Sequence, residues 1–555
     1  MYEIQVAVKQ DDRQQLDFYN TFVYESIPRS GNGRRLSPSN DSVGGNVDGV
    51  SIEGDVGINM AWTQFLHKCD VVVKVQRTQQ TGPVKPGDVV IRPTLTSYTM
   101  YSEGNDLYIE LPYQDIGHRI SIEFQDDLWT YRGGGNDSLF AQDLYPDGHN
   151  YVSEYNSSNP VLGIEPINGL MIFASPFPDQ ALAGDEAETY TVPQGLVPSL
   201  ENVTQSNVYF GPGVYWFGGD NHAILSETVS WVHLAPGAFV KGAIEYRNTK
   251  SPIVKATGHG VLSGEQYVYQ ANIADGYNNN KSDQTSLRMW SGELTENQTW
   301  ICQGPTIAAP PFNTMDFHGG PACKVSDYKQ VGAFFWQTDG MQIYPHSEFH
   351  DIFYHIGDDG IKSYYSDVRV DRINIWKTTN DPIIQMGWSP RNVSNFTAND
   401  LFVIHTRFPG ANMVVPTALI GASPSYTDSG ANDTASLSST ISNFHINNLH
   451  CEGICPSIVR WNMLQNYDNF TIDGVHIEKF PADDTGIGMS IINQFTDQEG
   501  SPVQLGADSP GNLGLVIKNY TVGGTRVSIE KNNWQSDALG KVNIAGSLWG
   551  RWTIE

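Results

Sequence analysis

The chain has 555 residues, with 33 Lys+Arg against 61 Asp+Glu and a formal net charge of −28. That balance excludes general-field binding to nucleic acid or to an anionic membrane and disfavours a polyanionic substrate; a neutral polymer suits it better. The length allows two or more domains with a large core, and no run of about 18 apolar residues predicts a membrane span.

In chain order, Met1-Tyr2-Glu3-Ile4-Gln5-Val6 reads as the start of a strand, with no visible secretory leader. Short alternating segments follow at Leu16–Tyr24, Val71–Gln76, Asp88–Pro93, Asp106–Leu111 and Arg119–Gln125, parted by Gly, Asn, Asp and Pro clusters. Evenly spaced strands without helical periodicity predict an antiparallel β-sandwich, closed by Gly169–Phe177. The sandwich is placed at 1–185 and a Pro-, Gly- and Ser-containing linker at 186–207.

From Val208 the texture changes. Short apolar runs recur at Val208–Tyr215, Val232–Val240, Ile253–Leu262, Trp300–Ile307, Val331–Phe335, Met341–Tyr344 and Val368–Trp376. Asn395-Phe396-Thr397, Asn443-Phe444-His445 and Asn469-Phe470-Thr471 repeat a loose pattern, read as two coils and then one coil apart. Imperfect repetition of this period predicts a parallel β-helix over 208–555, with Asn side chains stacked in its turns. The fold class is therefore all-β throughout.

Cys451 and Cys455 stand near enough for a local disulfide; among Cys69, Cys302 and Cys323 at most one more bridge can form. No Cys or His pairs stand at zinc spacing, and no phosphate loop or nucleophile elbow occurs, so neither metal nor cofactor is expected. Sequons are dense, Asn202, Asn297, Asn395, Asn469 and Asn519 among them. With the acidic charge they point to a secreted glycoprotein, expected to be a monomer.

The chemistry concentrates in Thr338-Asp339-Gly340 and Gly357-Asp358-Asp359-Gly360-Ile361-Lys362. The second motif follows the first by about 20 residues, close to one β-helix coil, so strands about 4.8 Å apart would bring Asp339, Asp358 and Asp359 into one patch. Carboxylates that close cannot all ionise freely, and a raised acid beside an ionised carboxylate is the equipment for cleaving a glycosidic bond. Adjacent strand residues point opposite ways, so Asp358 and Asp359 share a face only if Gly357 and Gly360 let the chain bend. Lys362 is a candidate to tune a carboxylate or hold a hydroxyl; Tyr344 and Trp388 are candidates for stacking on sugar. His355 and His405 read as structural.

Long, co-ordered segments resemble glycoside hydrolase family 49: Trp231–Ala243, Gly258–Glu265, Pro310–Asp316, Asp327–Phe334 and the two aspartate motifs. Within it, Phe22–Arg29, Asn380–Trp388 and Val415–Pro424 are more similar to fungal dextranases. The resemblance implies a β-sandwich followed by a right-handed parallel β-helix, and inverting endo-hydrolysis of a neutral α-glucan such as dextran. It also implies Asp358 as general acid, Asp339 and Asp359 as the carboxylates sharing the water, and Tyr344, Lys362 and Trp388 as cleft residues. Family members usually carry a further stretch ahead of the position matching Tyr2, so some strand material and apolar cover are expected to be missing here. Isopullulanase, with the same carboxylates, is the second enzyme reading. A polygalacturonase is disfavoured because Arg372-Ile373-Asn374 lacks the lysine of an Arg-x-Lys clamp. A non-catalytic glycan-binding β-helix is the reading from another class.

Overall fold

The computed structural model describes the chain except for residues 29–45, 48–49, 52–57, 81, 133–160, 179–185, 219–221, 280–284, 336, 379–381, 388, 407–417, 423–435, 437, 456, 463–464, 481–489, 494–514, 528–541 and 545–551. Among the described residues every regular element is a strand or a three-residue 3-10 turn, and no helix is long and apolar enough to cross a membrane.

The N-terminal unit is a sandwich of two five-stranded sheets. One orders Tyr19–Asn20, Tyr2–Val8, Val71–Arg77, Asp106–Leu111 and Thr99–Glu103; the other orders Val23–Ser26, Asn59–His67, Asn168–Pro176, His118–Phe124 and Val89–Arg92. Alternating residues such as Val73, Leu107, Ile109, Ile122 and Ile172 meet between the sheets, fully buried. Pairing is antiparallel with one exception: Asn168–Pro176 runs parallel to Asn59–His67. An alternating pattern specifies which face is buried but not strand direction, so the sequence could not reveal this.

Parallel pairing begins earlier than the sequence reading placed it. Thr189–Thr191 and Gly195–Val197 pair with Asn207–Phe210 and Gly213–Phe217, so the stretch read as linker supplies the first coil. Its Pro193, Pro198 and Ser199 sit in the turns of that coil, outside the strands. Early coils carry three short strands each, for example Trp231–Leu234, Ala238–Lys241 and Ile244–Tyr246. From Glu348 onward two faces merge into long bent strands, reaching 15 residues in Thr440–Ile454.

Those long strands turn their corner at one left-handed residue per coil. Asp351, Arg372, Asp400, Asn448 and Gly474 lie level in successive coils, and all have φ between 54° and 74°. Asp, Asn and Gly tolerate that region; arginine does not favour it. Arg372 is held there by a two-pronged pair with Asp351, Nε to Oδ1 at 2.7 Å and Nη2 to Oδ2 at 2.8 Å. The other corner carries the expected asparagine ladder. Asn469 donates to Asn443 at 2.8 Å, Asn443 to Asn395 at 3.3 Å, and Asn395 to Asp367 at 2.8 Å. Inside, Phe396, Phe444 and Phe470 stack at 4.5 and 4.6 Å. Asn395 and Asn443 are one coil apart rather than two, since Phe396 pairs directly with Phe444. Extra residues between strands lengthen a coil without disturbing its register.

The sandwich sits against the solenoid's flank. Met60, Trp62, Met171 and Phe173 form one apolar cluster with Val331, Phe353, Trp376 and Ile404. Beside it, Arg119 bridges two solenoid corners, reaching Asp327 at 3.2 Å and Asp351 at 3.1 Å with 5% of its side chain exposed. Removing one member of a buried ion pair costs about 3–5 kcal/mol because the other charge stays buried. Arg119→Met is therefore expected to lower the calorimetric melting temperature. An unchanged transition would mean that the apolar cluster alone carries the interface.

Candidate active site

The solenoid's third face is built from two parallel sheets: an earlier one that ends at Met315–Phe317 and a later one that opens with Ile361–Lys362 and Ile384–Gln385. Before it, the chain leaves the sheet after Lys329–Val331, so the runs Val331–Phe335 and Met341–Tyr344 are not the strands their apolar content suggested. Thr338 Oγ1 holds that excursion. It donates to Phe335 O at 2.5 Å and accepts from Gly357 N at 3.2 Å on the next coil. Asp339 O in turn accepts from Thr314 Oγ1 at 2.9 Å and Gln330 Nε2 at 3.0 Å. Gly340 N donates to Asp359 O at 2.9 Å, which sets Asp339 beside Asp359 across the coils. A side chain at position 340 would place its Cβ 2.4 Å from Gly360 O, so this close approach requires glycine.

All three aspartates are buried, with Asp339 and Asp358 6% exposed and Asp359 3%. The chain bends through Gly357–Gly360, and Asp359 N donates to Asp358 Oδ1 at 2.8 Å. Asp339 meets cationic and amide donors: Lys362 Nζ lies 2.5 Å from Oδ2, and the Asn313 amide nitrogen, oriented to satisfy its neighbours, donates to Oδ1 at 2.7 Å. Asp359 receives Gln385 Nε2 on Oδ1 at 3.2 Å and the Tyr364 hydroxyl on Oδ2 at 3.3 Å.

These surroundings act strongly on Asp359. Burial, then the negative charge of Asp339, push the Asp359 pKa up to about 7, against the pull of Lys362, Lys377 and Gln385. Burial works against the Lys362 ammonium, but Asp339 and Asp359 outweigh it and hold its pKa above the ordinary lysine value. Lys362 is therefore a fixed cation at working pH.

Of the aromatic candidates, Tyr344 is not a stacking platform. It is 4% exposed in the solenoid core, its hydroxyl donating to Asp316 Oδ1 at 2.5 Å and accepting from Phe317 N at 2.6 Å. The aromatic that reaches solvent beside it is Tyr365, 38% exposed with its ring 6.1 Å from Tyr344. Trp388 lies outside the described residues. His405 pairs with Glu123 at 2.5 Å across the domain interface, and His355 Nδ1 accepts from Ala333 N at 3.0 Å. Cys451 and Cys455 form a disulfide; Cys69, Cys302 and Cys323 are free. Sequence reasoning did not pick out Asn313, Tyr364 and Gln385 as site residues. The available signal was coil spacing, which sets Gln385 directly beside Lys362 in the sheet.

Comparison with known proteins bears on this site. Residues 1–177 match the glycosyl hydrolase family 49 N-terminal Ig-like domain, and residues 430–555 match glycosyl hydrolase family 49 itself. A β-solenoid repeat from dextranase matches 311–340, and an isopullulanase β-solenoid repeat matches 376–408. The chain is 45% identical to a dextranase of Talaromyces minioluteus, over 100% of its length and 88% of the relative's. It is 37% identical to an isopullulanase of Aspergillus niger, over 92% of this chain and 84% of the relative. The solved structure of Dex49A from Penicillium minioluteum superimposes with a TM-score of 0.84 at 42% identity, covering 100% of this chain and 94% of that one. With two such relatives matched over more than four-fifths of their length, family domains at both ends and three carboxylates gathered on the solenoid face, the chain belongs to glycoside hydrolase family 49 and is a glycoside hydrolase.

Proposed function

We propose that this hydrolase is a secreted endo-dextranase that cuts internal α-1,6-glucosidic bonds with inversion. Asp358 acts as general acid, and Asp339 with Asp359 holds and deprotonates the attacking water. The observation that carries this reading is the unequal pair Asp339/Asp359 beside Asp358. Lys362 and Asn313 compensate the charge on Asp339, whereas Asp359 keeps a proton below about pH 7. A negative charge on the pair is best compensated at Asp339, beside Lys362 and Asn313, where it is placed to take a proton from water. In the reaction, Asp358 gives its proton to the glycosidic oxygen as the C–O bond breaks. Water adds to the opposite face of the sugar and loses its proton to Asp339. Exchange with solvent returns both groups to their starting states.

A working form with one charge on the pair predicts an acidic optimum. The rate is expected to fall as pH rises through about 7, where Asp359 would add a second buried charge. A kcat profile flat from mildly acid to alkaline pH contradicts this.

Dextran is favoured over pullulan by the 45% identity to a dextranase against 37% to an isopullulanase. The test is hydrolysis of both polymers side by side, following the anomer of the new reducing end by NMR. β-Anomeric isomalto-oligosaccharides from dextran alone are expected. Isopanose from pullulan would move the chain to the isopullulanase reading, and α-anomers would overturn inversion.

A further inference from the structure

We propose that Tyr364, clamped by Arg391, is a positioning residue for Asp359: it fixes the orientation of that carboxylate and steadies its ionised form. The kinetic consequences rest on the water-activating role given to Asp359; the physical coupling does not. The geometry is a connected chain of contacts. The Tyr364 hydroxyl donates to Asp359 Oδ2 at 3.3 Å, while Gln385 Nε2 occupies Oδ1 at 3.2 Å, so each oxygen has its own donor. The Arg391 guanidinium lies over the Tyr364 ring, 4.2 Å from its centroid. Arg391 is itself seated: Cβ on Gly387 would come within 2.5 Å of its Nη2, so glycine there leaves room for the cation, and Arg391 N donates to Gln465 Oε1 at 3.4 Å. Gln385 is anchored likewise, its Oε1 accepting from Gly387 N at 3.0 Å. The turn after Ile384–Gln385 thus supports both donors of Asp359.

The physical consequence follows from what surrounds Asp359. Asp339 and burial oppose its charge; Lys362 and Lys377 favour it, and Asp358 is its chain neighbour. A cation stacked on the phenol fixes the ring and polarises the O–H toward Asp359. Burial and the nearby Asp359 charge hold the Tyr364 hydroxyl far above the usual phenol range, so it remains a donor at every working pH. A hydrogen bond to the ionised form favours that form, and losing it raises the Asp359 pKa further.

A double-mutant cycle between Tyr364→Phe and Asp359→Asn tests this. Melting temperature is read from about pH 5 to about pH 9, together with kcat and KM for dextran. A group whose folded pKa exceeds its unfolded value loses its stabilising contribution as pH rises through the folded pKa. Tyr364→Phe is therefore expected to extend that loss upward by about one pH unit, so its destabilisation grows above about pH 7. In the Asp359→Asn background the Tyr364→Phe effect is expected to be the same at every pH. With the catalytic reading, the neutral limb of the kcat profile moves by the same amount and KM stays within about twofold. Arg391→Met is expected to give the same signature more weakly, and it keeps the test open if Tyr364→Phe folds poorly. An effect of Tyr364→Phe that is independent of pH in both backgrounds would make it a packing residue and overturn the proposal. A raised KM with an unmoved pH profile would make it a substrate contact and overturn it equally. If Asp359→Asn alone hydrolyses dextran at the wild-type rate, the catalytic reading of Asp359 fails, while the melting cycle still decides the coupling.

Discussion

Asp358→Asn is expected to reduce dextran hydrolysis by about 10²–10⁴-fold, the usual contribution of general acid catalysis. Asparagine keeps the shape of the side chain and can still accept the bond that Asp359 N makes to Oδ1 at 2.8 Å, so the bend through Gly357–Gly360 should survive. On the proposed mechanism, what disappears is the proton for the leaving oxygen. Dextran binding, measured by affinity electrophoresis, is expected to stay within a few-fold of wild type. Substrates with an acidic leaving group need less protonation and should lose less rate than dextran. Wild-type-like dextran cleavage by this variant would remove Asp358 from the acid's role. Equal losses on both kinds of substrate would point to a folding or binding defect instead.

Lys362→Met is expected to have the second largest effect, on stability and activity together. It deletes the cation 2.5 Å from Asp339 Oδ2, where both side chains are under 10% exposed. Asp339 and Asp359 would then face each other with less compensation, and leaving a buried charge unpaired costs about 3–5 kcal/mol. The Lys362 pKa is raised in the folded protein. Its stabilising contribution is therefore complete below the unfolded lysine pKa and lost only as pH rises through the folded value. The loss in the methionine variant should be large at neutral pH. It should shrink toward acid pH, where the carboxylates take up protons and no longer need the cation. Calorimetry at about pH 4 and about pH 7 separates this from a simple packing defect, which would be alike at both. The rate on dextran is expected to fall by at least about 100-fold, because the cation that holds and compensates Asp339 is gone.

Local pattern carried much of this molecule. Asp106–Leu111 forms a strand with the bounds read from alternation, a strand begins at Tyr2 within the segment read as a strand start, and the Asn395–Asn443–Asn469 ladder follows from a repeated motif. The proximity of Asp339 and Asp359 was legible because a coil has a characteristic length and about 20 residues separate the motifs. What stayed hidden depends on direction, insertion and environment. The parallel pairing of Asn168–Pro176 needs strand direction, which alternation does not encode. The single coil between Asn395 and Asn443 was misread as two because loop length and coil number are indistinguishable in one sequence. Tyr344 stood only as a candidate for sugar stacking, since an aromatic near a cleft and an aromatic in a core look alike until burial is known. Tyr364 and Gln385 went unnoticed because their relevance lies in which Asp359 oxygen each one faces.

A stack of coils that touch only their neighbours is prone to fray from its ends inward, each coil opening almost independently. Here the sandwich works as a splint. Gln64 accepts from Thr306, Arg119 ties Asp327 to Asp351, Asn374 donates to Arg119 O, and Glu452 accepts from Arg92 and Thr94. These ties run across the coils on either side of Asp339, Asp358 and Asp359, so opening the middle of the stack requires the sandwich to let go as well. The coils that carry the three aspartates should thus share one cooperative transition with the N-terminal domain, and their amides should exchange with solvent far more slowly than those of Leu515–Val522 and Trp552–Ile554 at the C-terminal end of the stack. The N-terminal domain of this hydrolase then serves the candidate site from a distance, by keeping three carboxylates in register on a ribbon that would otherwise breathe.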